Sequence, residues 1–370
     1  MRPGTRFICY DYLQVAGGAE RVTLVMAEVL GGAEILGGVE VLVSRVYPTV
    51  LPLLAAARLK PRTLGRWFTR WLTRIPEAMV CFAWGGGALA HADIVIYSGF
   101  YAPWAVHWQK SGRRIYYGHS LPRFAYELRE DYRRQMAPIL RPFFDLFTAV
   151  VRWRYAAAIK HMDLLLVNSE NVARRMQRYL GLRAQVLHPP VDIGSFRWLG
   201  DHGYYLSVAR LEPLKRVEII IEAFMAMPDR RLIVASGGSQ FERLKAMASG
   251  VTNIEFTNWV DEREMQHLIG YARATIYVPV DEDFGMSPVE SMAAGKPVIG
   301  VAEGGLLETI RHGETGWLIE GAPTAEAVCV AVERLEAMDP GLTRCACEQQ
   351  AQLFGSDRFA RFLKEIIDAL

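Results

Sequence analysis

The sequence predicts an α/β protein of two doubly wound domains, each a parallel sheet covered by helices, and three observations carry that prediction. Short apolar runs rich in β-branched and aromatic residues alternate with segments of helical period. The alternation stops at Pro189-Pro190 and then restarts. The 370 residues exceed one ordinary domain and suffice for two separate cores. Two such domains imply a central cleft between them.

In the first half, the runs at 7–10, 39–43, 94–97, 115–117 and 164–167 read as strands buried on both faces, as parallel sheets require. In the second half, 204–208, 232–235, 254–256, 275–278, 298–301 and 317–319 repeat the pattern. Between them, Val22, Val25, Met26, Val29 and Leu30 share one helix face, as do Ile219, Ile220, Ala223 and Phe224. Consecutive prolines favour extended chain, so a hinge is expected near 189–193. The predicted domains are 1–190 and 191–355.

Composition narrows the function classes. Hydrophobic residues make up 51% and charged residues 22%, a globular balance, and a formal net charge of +2 gives no case for nucleic acid. Cys9, Cys81, Cys329, Cys345 and Cys347 form no paired spacing with each other or with histidine, so neither zinc nor a disulfide framework is expected. The start of the chain lacks the order of a signal peptide, and no uncharged stretch reaches the roughly 20 residues of a membrane span. The expected place is the cytosol or the cytoplasmic face of a membrane. For the latter, Arg62, Arg66, Arg70 and Arg74 recur every four residues, with Trp67, Phe68, Trp71 and Leu72 between them. On a helix, that pattern gives a basic face and an aromatic face suited to anionic lipid, although burial of the tryptophans explains the apolar half equally well. Arg141, Arg152, Trp153 and Arg154 extend the same chemistry.

The stretch from Glu282 to Glu290 carries the most chemistry. Ser287-Pro288 reads as a helix N-cap followed by proline in the first helical position. Phe284, Gly285 and Met286 would then offer backbone N–H groups at the positive end of a helix, where phosphate oxygens bind. Glu282 and Glu290, accepting hydrogen bonds only, suit hydroxyl-rich parts of a ligand. Ser287 and Glu290 also stand in capping-box spacing, which is a purely local reading of Glu290.

Other candidates follow strands. Gly17 and Gly18 open the first amphipathic helix and leave room for an anion, or are simply turn residues. Arg210 and Lys215 follow the strand at 204–208, at the sheet edge where open α/β folds bind ligands, and two cations there can neutralise a diphosphate. A third Gly-rich turn, Gly237-Gly238-Ser239, follows the next strand and is expected to line the same cleft, with Gly237 at the substrate. His119, just past the strand at 115–117, can hydrogen-bond a sugar hydroxyl or move a proton, or be structural. Arg123 nearby is a weaker candidate.

Together these residues resemble the glycosyltransferase family 4 enzymes, retaining transferases of the GT-B architecture with two Rossmann-like domains. The resemblance runs along nearly the whole chain, in order: Gly-Gly-Ala-Glu from Gly17, His119, Arg210 with Lys215, the Glu-x7-Glu from Glu282 to Glu290, and Gly304-Gly305 before Glu308. It implies that Glu282 binds donor-sugar hydroxyls, Glu290 the ribose, Arg210 and Lys215 the diphosphate, and that His119 lies beside the sugar. Gly17 and Gly18 would approach the phosphates or the acceptor. It further implies a last helix, 356–370, that returns to the N-terminal domain. Reaction would occur on one face of the sugar, the departing phosphate oxygen taking the acceptor proton, with no metal and no cofactor beyond the nucleotide-sugar. The run from Gly118 to Arg123 and the Gly-Gly-Ala-Glu-Arg start look most like bacterial mannosyltransferases of polysaccharide and lipopolysaccharide assembly. These use GDP-mannose and a lipid-linked saccharide acceptor. Leu306-Leu307 and Glu303 depart from the family pattern, both in the donor loop.

Three rivals stand beside this reading. A GT-B epimerase or phosphorylase shares the fold, and a non-catalytic nucleotide-sugar-binding protein is a further reading, because fold does not guarantee activity, although the intact glutamate pair and the cations argue against it. A dehydrogenase is disfavoured because no Gly-x-Gly-x-x-Gly follows the first strand.

Overall fold

A computed structural model describes residues 5–15, 17–31, 38–65, 69 and 72–370. The chain divides into two compact units, one of 1–188 with 359–370 and one of 189–358. In the first, seven strands, β1 (Arg6–Tyr10), β2 (Val39–Val43), β3 (Arg62–Thr63), β4 (Ile94–Ser98), β5 (Arg113–Gly118), β6 (Leu164–Val167) and β7 (Gln185–Val186), lie in the order β3-β2-β1-β4-β5-β6-β7. All pairings are parallel. Alternate residues feed opposite faces: Ile8, Ile96 and Ile115 enter one apolar cluster, Cys9, Tyr97 and Tyr116 the other. Phe359 and Leu363 from the helix Ser356–Asp368 are buried in the first of these, Phe359 edge-on to Tyr117 at 5.9 Å.

The second unit holds β8 (Tyr204–Ser207), β9 (Arg231–Val234), β10 (Ile254–Phe256), β11 (Ala274–Tyr277), β12 (Val298–Val301) and β13 (Gly316–Ile319), in the order β10-β9-β8-β11-β12-β13 and again parallel. In each sheet the order reverses beside the first strand, between β1 and β4 and between β8 and β11. Loops leaving the strand ends part there and open a crevice.

No single helix carries both Arg62 and Arg74, contrary to the expectation over 62–74. Arg62 sits in β3, where Leu42 pairs with it across the sheet and its guanidinium reaches Glu40 at 3.2 Å. Arg74 begins the helix Arg74–Trp84 behind Thr73 and lies over the Tyr12 ring at 4.9 Å. A strand end and a separate helix start divide the spacing, so these two arginines share no helix face. Arg66, Trp67, Phe68, Arg70 and Trp71 lie outside the described residues.

Candidate active site

Lys215, Glu282 and Tyr277 meet at the crevice of the second unit. Lys215 ends a 3-10 turn, Pro213–Lys215, in the connection after β8, and Tyr277 is the last residue of β11. The Lys215 Nζ donates to Glu282 Oε2 at 2.6 Å and to the Tyr277 hydroxyl at 2.8 Å, and lies over the tyrosine ring at 5.1 Å. Both charged side chains keep a fifth of their surface in water, so an incoming ligand can compete for either. Burial holds the Tyr277 phenol well above its ordinary value, and Glu282 adds to this. The positive charge of Arg210 acts in the other direction, so Arg210, exposed on the same loop, belongs to the same electrostatic neighbourhood.

Glycines hold four loops together in two pairs. The Leu211 amide donates to the Gly237 carbonyl at 3.0 Å, and Ser239 Oγ donates to Glu212 at 2.6 Å, which fixes the turn after β9 beside the turn after β8. A side chain at Gly237 would meet Trp259 Nε1 at 2.3 Å. The Gly305 amide donates to the Glu282 carbonyl at 2.8 Å, and a Cβ on Gly304, at φ of +60°, would come within 2.3 Å of that oxygen. The paired glycines are therefore what allows the loop after β12 to lie on the backbone that presents Glu282.

The helix after this loop starts earlier than Ser287-Pro288 indicates. It spans Met286–Ala293, with Gly285 as N-cap at φ of +90°, a conformation favouring glycine. Ser287 and Pro288 fall inside the first turn, where the missing proline N–H costs nothing because first-turn donors have no helical acceptor. The capping box does not form, since Ser287 is helical and gives no side-chain cap; its carbonyl accepts from Ser291 Oγ at 3.0 Å. Phe284 is 2% exposed and its ring packs edge-on against Phe354, so its side chain is part of the core and offers nothing to a ligand. Met286, Ser287 and Glu290 are half-buried at the helix start.

Tyr277, Arg216 and Glu303 were not singled out as site residues by their sequence. Glu303 Oε1 accepts from Arg216 at 3.0 Å and its Oε2 accepts the Asp281 amide at 3.1 Å, so one carboxylate ties together the loops after β8, β11 and β12. The departure at Glu303 thus has partners on two other loops. Leu306 is buried beneath Gly285, while Leu307 is half exposed.

In the first unit, Gly18 begins the helix Gly18–Gly31, and a Cβ on Gly17 would stand 2.9 Å from Glu20 Oε2. His119 follows β5, edge-on to Tyr117 at 5.1 Å and to Tyr10 at 6.3 Å. Its Nε2 is buried without a hydrogen-bond partner, and its carbonyl accepts from Asn168 at 2.8 Å. Burial pulls the imidazole down to about 4, so it is neutral at pH 7 and suited to hydrogen bonding rather than to acid catalysis. Arg123 is paired with Glu127 at 2.8 Å. Asp11, another residue the sequence did not single out, stands at the end of β1 and accepts the Phe100, Tyr101 and Ala102 amides at 2.7, 2.8 and 2.7 Å.

The histidine gives a pH prediction. Its folded value lies below the unfolded value of 6.5, so the unfolded chain takes up the proton first. Its contribution is complete above pH 6.5 and lost as pH falls toward 4. Wild type is expected to lose about 1.4 kcal/mol per pH unit in that window relative to H119Q. Urea midpoints of the two proteins that run parallel from pH 7 to 4 would refute it.

Residues 193–353, which include Arg210, Lys215, the Glu282–Glu290 stretch and Glu308, match the family described as glycosyl transferases group 1. A D-inositol 3-phosphate glycosyltransferase of Mycobacterium sp. (strain KMS) is 29% identical over 220 residues, 53% of this chain and 50% of that one. The chain thus spans about half the length of the curated relatives it matches. Among solved structures, Anabaena Alr3699/HepE in complex with UDP superposes with a TM-score of 0.77 at 14% identity, covering 99% of this chain and 100% of that one. WaaG, a glycosyltransferase involved in lipopolysaccharide biosynthesis, gives a TM-score of 0.68 at 16% identity over 98% and 99%. The second unit therefore carries the glycosyl transferases group 1 signature, within a chain whose two-domain α/β fold is that of GT-B glycosyltransferase structures.

Proposed function

We propose that the chain is a retaining hexosyltransferase that takes a sugar from a nucleoside diphosphate donor and passes it to a lipid-linked saccharide in cell-surface glycan assembly. The observation that carries this reading is the meeting of Lys215, Glu282 and Tyr277 at the sheet crevice, beside a helix start whose first N–H groups have no intrahelical acceptor. Arg210 and Lys215 take the charge that builds on the departing diphosphate, Glu282 and Glu290 accept hydrogen bonds from sugar and ribose hydroxyls, and the 285–287 amides hold phosphate oxygens. His119, neutral, hydrogen-bonds the sugar. The bond from the anomeric carbon to the diphosphate breaks, the acceptor oxygen bonds on the same face, and the leaving oxygen takes the acceptor's proton. The protein's part is positioning and charge stabilisation.

Mannose from GDP-mannose is the donor favoured by the run from Gly118 to Arg123; a uridine donor is the second reading, favoured by the UDP named for the Anabaena structure. Assay of GDP-mannose and UDP-glucose with a lipid-linked acceptor, and proton NMR of the product's anomeric centre, test both. Absence of transfer from either donor by the wild type, or an inverted product, removes the reading.

A membrane-facing acceptor has its own support in the first unit. On the helix Arg141–Ile159, Phe143, Leu146, Val150 and Trp153 recur at helical spacing on one side; Phe143 is 71% and Trp153 66% exposed, and Ile139 and Leu140 continue the patch. Arg133, Arg134, Arg141, Arg152 and Lys160 lie nearby in sequence. Apolar side chains of this size amid cations fit an anionic bilayer surface, where each nearby cation is worth about 1 kcal/mol. Flotation with phosphatidylglycerol vesicles should carry wild type and lose a variant with Phe143, Leu146 and Trp153 changed to glutamate. Unchanged flotation, or a dimer that the variant dissolves, overturns this surface.

A further inference from the structure

The second unit holds a cavity of about 650 Å³, a volume typical of small-molecule sites, away from the donor loops. Asp201, Arg273 and Lys296 line it and lie just before β8, β11 and β12, which are neighbours in the sheet. Lys215 and Glu282 lie after β8 and β11. The cavity is thus on the opposite edge of the sheet, removed by a strand length of roughly 13 Å.

Charge in this cavity does not balance. Arg273 pairs with Asp201 at 3.2 Å and approaches Glu336 at 3.8 Å, and Glu336 also takes Arg230 at 2.8 Å, so both carboxylates are committed. Arg344 pairs with Glu348 one helical turn on, in water, where such a pair is weak. Lys296 is 2% exposed, yet no carboxylate pairs with it among the described residues. Its Nζ donates to the Gly200 carbonyl and sits 5.0 Å from the Trp198 ring, which also carries the Arg344 guanidinium at 4.6 Å. An ammonium has three donors, and burying one without a counter-charge is costly. Burial and Arg344 draw Lys296 down to about 8 against the pull of Asp201, which leaves it mainly charged at pH 7. Two cations against one indole repel each other, and an anion between them relieves both.

We infer that this cavity binds a small organic anion, a phosphate monoester or carboxylate with a compact apolar body, its head between Lys296 and Arg344 and its body against Trp198, Leu335 and Met338. The site is independent of the donor reading. A lysine that only ties the 198–201 segment to β12 makes the same carbonyl contact but answers to no anion, and that difference is measurable.

The test uses the full chain carrying R210A and K215A, which removes the diphosphate subsite, at ionic strength held constant with sodium chloride. Glycerol 3-phosphate, inorganic phosphate and butyrate are titrated by calorimetry and by thermal unfolding, since a ligand of the native state raises the melting temperature. A saturable response is expected, its strongest arm telling phosphate from carboxylate. Adding K296M or R344Q should weaken it by about tenfold or more, the loss of one charge-assisted contact. Arg344 is exposed, so R344Q tests the site even if K296M folds poorly. No saturable response up to about 10 mM, or a response that persists undiminished in a folded variant, overturns the assignment.

Discussion

Replacement of Lys215 by alanine is expected to lower turnover of the nucleotide-sugar by about 10²–10³-fold, or about 2.7–4 kcal/mol of transition-state stabilisation, with the fold intact. The ammonium sits at the sheet crevice 2.6 Å from Glu282 and 2.8 Å from the Tyr277 hydroxyl. In the proposed reaction negative charge would develop on the leaving diphosphate, and a cation already fixed at the crevice would need no reorganisation to meet it. Both partners remain partly in water, so loss of the pair itself costs stability only on the scale of about 1 kcal/mol. The E282Q variant separates the two halves of the cluster: it leaves Lys215 free for diphosphate, so nucleoside diphosphate affinity should hold while sugar transfer falls. Calorimetric titration with the nucleotide beside initial-rate measurements reads both. Wild-type turnover in K215A, or nucleotide affinity equal to wild type in that variant, would remove Lys215 from the leaving-group role.

The fold was legible because its signal is local. Strands of three to six residues, most of them buried on both faces, appear as short apolar runs, and the edge strands β3 and β7 escaped because two residues such as Arg62–Thr63 hold no periodicity. The helix start at Met286 was misplaced because Ser-Pro is a strong cap signal. The left-handed turn at Gly285 prevailed over it, a choice set by Leu306 and the Gly304-Gly305 loop, about twenty residues away. Glu303 was visible as a departure but not as a partner: Arg216, which it binds, is 87 residues distant. Tyr277 read as a strand residue and nothing more, because its hydroxyl gains meaning only when Lys215, 62 positions earlier, reaches it. Local chemistry reached the chain's candidate cations and acids one at a time. The contacts that assemble them are long-range, and no spacing rule encodes those.

Changing Asp11 to alanine is expected to destabilise the first unit by about 3–5 kcal/mol, the largest structural effect anticipated outside the core. Three amides, those of Phe100, Tyr101 and Ala102, converge on this one buried carboxylate. Removing it leaves buried donors with no acceptor, and each such donor costs about 1–3 kcal/mol. Gly99, at φ of +101°, allows the loop to close: a Cβ there would stand 2.6 Å from the Asp11 carboxyl. Burial raises the Asp11 carboxyl to about 6 even against those three amides, which pull it down. Its folded value therefore exceeds the unfolded one, and the folded chain holds the proton more tightly as pH falls from 6 to 3.8. At pH 7 the ionised group carries a desolvation cost that an amide does not, so D11N should be milder than D11A. Hydrogen exchange of the 100–102 amides reads the clamp directly. Protection there is expected to collapse in D11A and persist in part in D11N, and equal protection in D11A and wild type would show that the loop after β4 is held by something else.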